Sequence, residues 1–514
     1  MTARVSLIGA GPGDPGLLTL RAAARIREAD SILCDALVHA AVLRHARPEA
    51  ELLVVGKRGG GDSATQEEIL HTMLFRARQG RRVARVKGGD PMVFGRAAEE
   101  MEFLAAHGVA YEVIPGVTAA LGASAYAAIP LTHRDLSSSV ALVTATERPD
   151  REGSAHDWSL LATATQTLVL YMGARRLADD LRTLVAHGRD PGTPAAVVQL
   201  ATHPAQRVVV GTVADLAERA AQAGIGAPAV VIVGEVVRLR EGLRWWDRRA
   251  LCGRRVVITR AREQSLGLVD ALLDEGAEPL EFPAIRFDPP SDPGPLRRCV
   301  ETLRESAPDA MAFTSANGVA RFFEALRAAR LDARALARAR VVAIGPATAE
   351  ALRRNGIEPD AVPREHVGEA AADAVTALLD AGVAGARVVI PRAEEAREAL
   401  PEILRARGAS VEVVPVYRTV SDAAEGAEAL REALTVGVDA VTFASASTVH
   451  HVCDALGDDA AALLARTAVA TIGPITSEAA RRRGLTVSIE AAAYTADGLL
   501  DALRAHFAGT GTPP

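Results

Sequence analysis

The second half of this chain repeats itself. Val256-Val257-Ile258-Thr259-Arg260 recurs 132 residues later as Val388-Val389-Ile390-Pro391-Arg392, and Gly276-Ala277 recurs at the same offset as Gly408-Ala409. Ala312-Phe313-Thr314-Ser315-Ala316-Asn317 returns 130 residues on as Thr442-Phe443-Ala444-Ser445-Ala446-Ser447. Ala343-Ile344-Gly345-Pro346-Ala347-Thr348 returns 128 residues on as Thr471-Ile472-Gly473-Pro474-Ile475-Thr476. Offsets that shrink steadily in one direction are what small loop deletions leave within a duplication. Duplicated strand-to-helix units confine this half to two similar α/β lobes, expected to face each other across a cleft. The repeated turns precede helices, whose free backbone donors and hydroxyls suit carboxylates. A simple helix cap is the plainer use of any one of them.

At 514 residues the chain is too long for one core, and its length suggests about three domains. Apolar residues make up 49% and aromatics only 4%, so the cores must be built from Ala, Val and Leu. Short Val-rich runs alternate with Ala/Leu/Arg/Glu-rich helical stretches, the pattern of an α/β protein with parallel sheets. A formal charge of −6 gives no bulk attraction for nucleic acid or an anionic membrane, so an anionic ligand needs a local basic cluster. Cys34, Cys252, Cys299 and Cys453 are scattered, without CxxC pairs, which argues against disulfides and zinc. The chain enters a strand at once, Val5-Ser6-Leu7-Ile8, and has no apolar run of about 18 residues. The expectation is a cytoplasmic protein with no membrane or nucleic-acid partner.

In the first half, Arg85-Val86-Lys87-Gly88-Gly89-Asp90-Pro91-Met92-Val93-Phe94-Gly95-Arg96 starts as a strand, breaks at two glycines and re-enters helix through Ala97-Ala98-Glu99-Glu100. Paired glycines let the backbone approach a ligand closely, and an Asp at the same turn accepts from a hydroxyl or amine. Val5–Ile8 also runs into a glycine-rich loop, Gly9-Ala10-Gly11-Pro12-Gly13-Asp14-Pro15-Gly16, then a helix expected over 17–28. A dinucleotide fingerprint fails here, because Asp14 stands where G-x-G-x-x-G needs its third glycine. Two prolines also remove backbone donors that a pyrophosphate would use. Further strands end at Asp35 and at Lys57-Arg58. Ligands of open α/β sheets gather beyond the carboxyl ends of strands, so Asp35, Lys57 and the Gly88-Gly89-Asp90 loop are expected to converge on one crevice.

These motifs, together with Pro115-Gly116-Val117-Thr118, Pro130-Leu131-Thr132-His133-Arg134 and Tyr171-Met172-Gly173, carry a resemblance. Residues 1–245 resemble the uroporphyrinogen-III C-methyltransferases of the tetrapyrrole methylase superfamily, and the motifs occur in that family's order. The resemblance implies two α/β lobes with S-adenosylmethionine folded between them, and a homodimer. By position it places cofactor contacts on Pro12, Gly88, Gly89, Asp90, Val93, Thr118, Ala119, Met172, Ala201 and Ala229. It implies Asp35 as proton acceptor and Lys57 as proton donor. The enamine-like pyrrole carbon of a porphyrinogen attacks a sulfonium methyl directly, so the protein mainly aligns the two and excludes water. The polycarboxylate substrate calls for a basic wall, for which Arg58, Arg96, His133 and Arg134 are the candidates beside Lys57. Two departures stand out: Cys34 precedes Asp35 where the family often has an aromatic residue, and Ala145-Thr146-Glu147 stands where Gly-His is common.

Residues 250–514 resemble uroporphyrinogen-III synthase, on the repeat, the Ile-Gly-Pro turns and Pro415-Val416-Tyr417-Arg418-Thr419. That family's chain starts in one lobe, builds the other and returns, implying lobe one over about 253–287 plus 418–510, with lobe two over about 288–417 between. The implied reaction closes hydroxymethylbilane with loss of water and inversion of the last pyrrole ring. It needs no metal or nucleophile, because the azafulvene forms from the substrate itself. Tyr417 matches a family tyrosine that assists hydroxyl departure, and Ser315, Ser445 and Thr476 are candidate carboxylate contacts. The fold class expected is α/β: a two-lobed tetrapyrrole methylase domain, then a duplicated two-lobed synthase-like domain. The alternative is a methyltransferase whose second half binds tetrapyrrole without catalysis.

Overall fold

Among the described residues, runs of apolar residues broken at glycine and proline set up twenty strands, and they assemble into four five-stranded sheets. The computed structural model describes residues 4–55, 65–145, 156–365, 368–379, 382–396 and 398–508. The chain divides into two units, one of Met1–Val256 with Leu268–Leu280 and Thr495–Pro514, the other of Val257–Gly267 with Glu281–Tyr494.

The first sheet uses β1 (Val5–Gly9), β2 (Ser31–Cys34), β3 (Glu51–Val54), β4 (Val83–Lys87) and β5 (Tyr111–Ile114) in the order β3-β2-β4-β1-β5. All four pairings are parallel. β1, β2 and β4 are buried along their whole length, as helices on both faces of a parallel sheet require. Because β4 lies between β1 and β2, the loops leaving these three strands open side by side.

The second sheet takes β6 (Val140–Thr144), β7 (Thr167–Tyr171), β8 (Pro194–Gln199), β9 (Arg207–Thr212) and β10 (Ala229–Val233) in the order β6-β7-β10-β8-β9. Only β6 and β7 run parallel; the other pairings are antiparallel. The helix expected over 17–28 begins three residues late, at Leu20, and runs to Glu28. Thr19 caps it by accepting from the Ala22 amide, and Asp14 caps a separate turn at Pro15–Leu17.

The second half holds β11 (Arg255–Ile258), β12 (Glu278–Glu281), β13 (Ile285–Asp288), β14 (Ala310–Phe313), β15 (Arg340–Ala343), β16 (Arg387–Ala393), β17 (Ser410–Ser421), β18 (Ala440–Phe443), β19 (Ala468–Thr471) and β20 (Val487–Glu490). They form sheets ordered β12-β11-β18-β19-β20 and β13-β17-β16-β14-β15. The repeated segments fall at equivalent places: β11 with β16, β18 with β14, β19 with β15. The match extends to a bridge between Val342 and Ala361, which sits where β20 lies in the other sheet. The chain leaves the third sheet after β12, crosses into the fourth at β13, and returns after β17.

Asp30, just before β2, takes the Arg82 amide at 2.8 Å and the Arg47 guanidinium at 2.6 Å. The Arg82 amide bond, joined by both guanidiniums, holds its carboxyl down at about 2 against an ordinary 3.8. A depressed carboxylate contributes stability that is complete above its unfolded value and is lost as pH falls through the folded one. The side chain stays 34% exposed, so after screening the contribution is about 1 kcal/mol. Asp30→Asn is expected to lower the unfolding midpoint at neutral pH and to converge with the parent protein between pH 3.8 and about 2. Parallel midpoint-against-pH profiles would rule this out.

Candidate functional site

Three loops of the first sheet meet backbone to backbone. A Cβ added to Gly9 would stand 2.5 Å from the Gly116 nitrogen and 2.7 Å from the Gly89 oxygen; one added to Gly116 would stand 2.3 Å from the same oxygen. Gly11 and Gly89 exchange hydrogen bonds of 3.2 and 2.7 Å. Only glycine fits at positions 9 and 116, and the tight junction draws the ends of β1, β4 and β5 together. Gly88 differs, since nothing lies within 4 Å of where its Cβ would be. The protein's own packing leaves that flank of the loop open.

Asp90 ties this junction together. Its Oδ1 accepts from the Met92 amide at 2.8 Å and its Oδ2 from the Gly116 amide at 3.0 Å. Pro12 packs on Gly122, where a Cβ would come 2.4 Å from the proline ring. Asp14 donates its amide to Thr202 at 2.9 Å and accepts from the Tyr126 hydroxyl, so the residue that breaks the dinucleotide fingerprint locks the first loop to the second sheet. Thr118 stands at the N-cap of the helix Ala119–Tyr126 but does not cap it. Its hydroxyl pairs with Tyr171 at 2.7 Å, and the Ala120 amide donates to the same Tyr171 oxygen at 3.0 Å. Phe94 leans on Tyr171 with ring centroids 4.8 Å apart, and Met172 beside it is half exposed in the left-handed region. Val93, Ala119 and Ala201 pack in the same cluster as Tyr171, and Ala229 opens β10 opposite Gln199. Pro12, Gly88, Gly89, Asp90, Val93, Thr118, Ala119, Met172 and Ala201 thus lie in or beside the loops that join the first sheet to the second, with Ala229 at the head of an adjoining strand.

A largely buried ionic cluster lies along β4 and beyond the end of β2. Asp35, directly after β2, receives the Arg85 guanidinium at 2.5 Å. Arg85 and Lys87, both buried in β4, reach Glu100 at 3.2 and 2.7 Å. Glu100 lies on the helix Ala97–Ala106 and is fully buried; its Oε2 has no hydrogen-bond partner among the described residues. Burial, then the neighbouring Arg85 charge, lowers the Lys87 amine below its ordinary value. Two cations and two carboxylates leave the group neutral, with Asp35 its solvent-facing member at 31% exposure. Arg85, Lys87 and Glu100 received no role from the sequence. Their signal was there: cations alternating along a strand that must be buried need an acid against them.

Lys57 and Arg58 lie outside the described residues. Arg96 is exposed, with a left-handed backbone, and pairs with Glu99 at 2.7 Å. His133 accepts from the Asp135 amide at 3.2 Å, and Arg134 is exposed. No hydrogen bond or ion pair among the described residues joins Arg96, His133 and Arg134 to one another. Cys34 is buried.

In the second half, Tyr417 is buried, its hydroxyl 3.3 Å from Ser315 and its ring edge-on to Phe287. Ser315 caps the helix Ala316–Ala328 by accepting from Gly318, and Ser445 caps Ala446–Leu456 by accepting from Thr448. Both hydroxyls therefore have backbone work already. Thr476 is buried in the first turn of Pro474–Arg482, which turns Ile475 rather than the threonine to solvent. Burial pushes the Cys252 thiol up to about 11 and the Cys299 thiol up to about 12, so neither is a thiolate at neutral pH. Among the described residues no His/Cys/Asp/Glu group is arranged to hold a metal, and no helix is long and apolar enough to cross a membrane.

Residues 4–217 match the family of tetrapyrrole (corrin/porphyrin) methylases, and residues 267–501 match uroporphyrinogen-III synthase HemD. The two halves define a two-domain enzyme of tetrapyrrole biosynthesis. The chain is 35% identical over 500 residues to the porphyrin biosynthesis protein HemD of Ruminiclostridium josui, covering 97% of each. It is 35% identical over 368 residues to the uroporphyrinogen-III C-methyltransferase of Bacillus subtilis (strain 168), covering 71% of this chain and 75% of that one. A crystal structure of uroporphyrin-III C-methyl transferase from Thermus thermophilus, complexed with S-adenyl homocysteine, is 42% identical and covers 46% of this chain and 100% of that one, with a TM-score of 0.40. The chain belongs to the family that joins a tetrapyrrole methylase to a uroporphyrinogen-III synthase. Its second half is accordingly a synthase domain, which sets aside the reading of it as a non-catalytic carrier.

Proposed function

We propose that a domain over 1–245 methylates uroporphyrinogen III twice to precorrin-2, and that a domain over 250–514 makes that substrate from hydroxymethylbilane. The observation that carries the first half is the glycine junction with its open flank at Gly88, set beside a carboxylate held by a buried guanidinium. A backbone-walled crevice of this kind suits S-adenosylmethionine, whose ligands would be Pro12, Gly88, Gly89, Asp90, Val93, Thr118, Ala119, Met172, Ala201 and Ala229. When bound, that cofactor supplies an electrophilic methyl group.

The chain's own part is alignment, exclusion of water and proton handling. Asp35, held by the Arg85 guanidinium, takes up the proton released as the methylated ring rearranges, and Lys57 returns one. Arg58, Arg96, His133 and Arg134 bind substrate carboxylates. In the synthase domain Tyr417 assists departure of the hydroxyl, with Ser315, Ser445 and Thr476 placed at carboxylates. No step is assigned to a metal. The protein works in the cytoplasm as a homodimer formed through its methylase half.

Asp35→Asn keeps the hydrogen-bonding shape and removes the base. It is expected to lower methyl transfer to supplied uroporphyrinogen III by about a hundredfold while formation of the type III isomer from hydroxymethylbilane is unchanged. Wild-type methylation rates in this variant would remove Asp35 from the mechanism. Failure of the unaltered protein to methylate uroporphyrinogen III would remove the methylase reading itself.

A further inference from the structure

The duplication places two arginines at the same point of two similar sheets, Arg260 after β11 and Arg392 in β16. Their surroundings differ. Arg392 is buried, bonded to the Ala396 carbonyl at 3.3 Å and paired with the Glu398 carboxylate. Arg260 has no hydrogen bond or ion pair among the described residues; its Nε, like that of Arg392, is buried without a hydrogen-bond partner among them. The residue keeps some exposure, so a ligand from solvent can reach it. Burial acts against the charge of its guanidinium. A half-buried cation with no counter-charge costs stability, and proteins retain such groups where a ligand supplies the anion.

Its position fits that use. Thr259 bonds the Thr442 carbonyl at 2.7 Å, and the Phe282 and Ala284 amides bond the Ile258 and Thr259 carbonyls at 2.9 and 3.3 Å. Arg260 therefore leaves its sheet at the carboxyl ends of the strands, between the loop after β12 and the Ser445 turn after β18. Four residues on, the Gln264 amide donates to Asn317 at 2.6 Å, in the first turn of the helix that Ser315 caps beside Tyr417. That bond ties the Arg260 loop of one lobe to the Tyr417 corner of the other.

We infer that Arg260 binds a carboxylate of the linear tetrapyrrole in the synthase half, a role its twin Arg392 has given up to Glu398. The inference rests on the synthase reading above. Full-length Arg260→Met and Arg260→Lys proteins test it, with hydroxymethylbilane as the probe. Arg260→Met is expected to raise KM for type III formation by about ten- to a hundredfold, the worth of a charge-assisted hydrogen bond. Its unfolding midpoint without substrate should stay level or rise, since a half-buried charge unpaired among the described residues has gone. Arg260→Lys should recover part of the affinity. Methylation of supplied uroporphyrinogen III should be unchanged in both. An unaltered KM in Arg260→Met, or a lowered midpoint in the absence of substrate, overturns the inference and makes Arg260 a structural residue. Only the spontaneous type I isomer from the unaltered protein would instead sink the synthase reading.

Discussion

Glu100→Gln is expected to destabilise the first half of the chain by about 3 kcal/mol, at the lower end of the 3–5 that follow from breaking a buried pair. The substitution keeps the shape of the side chain and removes the one charge that serves both Arg85 and Lys87. Arg85 retains Asp35, but Lys87 is left as a buried ammonium with only a more distant carboxylate. Its relief is to lose the proton. The folded amine already sits below its ordinary 10.5 through burial and then the Arg85 charge, and losing Glu100 takes it lower. Between the folded value and 10.5 the unfolded chain binds the extra proton, so the variant's stability should rise with pH across that window. Adding Lys87→Met should recover most of the loss. Denaturant titration of both variants at two pH values checks this; a Glu100→Gln variant as stable as the parent would show that Glu100 does not hold the buried cluster together.

Gly116→Ala is the second large effect. The new Cβ would sit 2.3 Å from the Gly89 carbonyl and 2.8 Å from Gly9, all backbone, so no side chain can swing aside. Relief requires separating the loops after β1, β4 and β5, which breaks the Asp90 bond to the Gly116 amide and the Gly11–Gly89 pair. Methyl transfer is expected to fall by at least about a hundredfold, since misplacement by about an ångström already costs that much. Type III synthesis by the other half should persist. Gly88→Ala is the control, because its Cβ would meet nothing within 4 Å of protein. It should fold normally and weaken only cofactor affinity. Equal methylation by Gly116→Ala and the parent protein would contradict the packing argument.

Much of this architecture could be read from residues alone, because glycine, proline and repeats report on the backbone. The Gly88-Gly89-Asp90 turn, the failed fingerprint at Asp14 and the shrinking offsets between β11 and β16 or β14 and β18 are local signals with one structural meaning each. Side-chain partnerships were less legible. Asp90 reads as a ligand acceptor, yet both its oxygens hold backbone amides. Glu100 looks like any first-turn helix acid until β4 is seen to bury Arg85 and Lys87 against it. Ser315 and Ser445 look alike for carboxylates and caps, because both uses need a hydroxyl at a helix start. The helix starts at Leu20 because Asp14 closes a separate turn over Pro15–Leu17, Leu18 and Thr19 are extended, and Thr19 then caps the helix. These outcomes depend on contacts between distant segments, which periodicity does not carry.

The central claim is that one chain makes uroporphyrinogen III and methylates it. The full-length protein, incubated anaerobically with hydroxymethylbilane and S-adenosylmethionine, gives the most direct test when the oxidised products are resolved by mass and isomer. A type III product carrying two added methyl groups is the expected result. Unmethylated type III product would contradict the methylase half of the account, and type I product alone would contradict the synthase half.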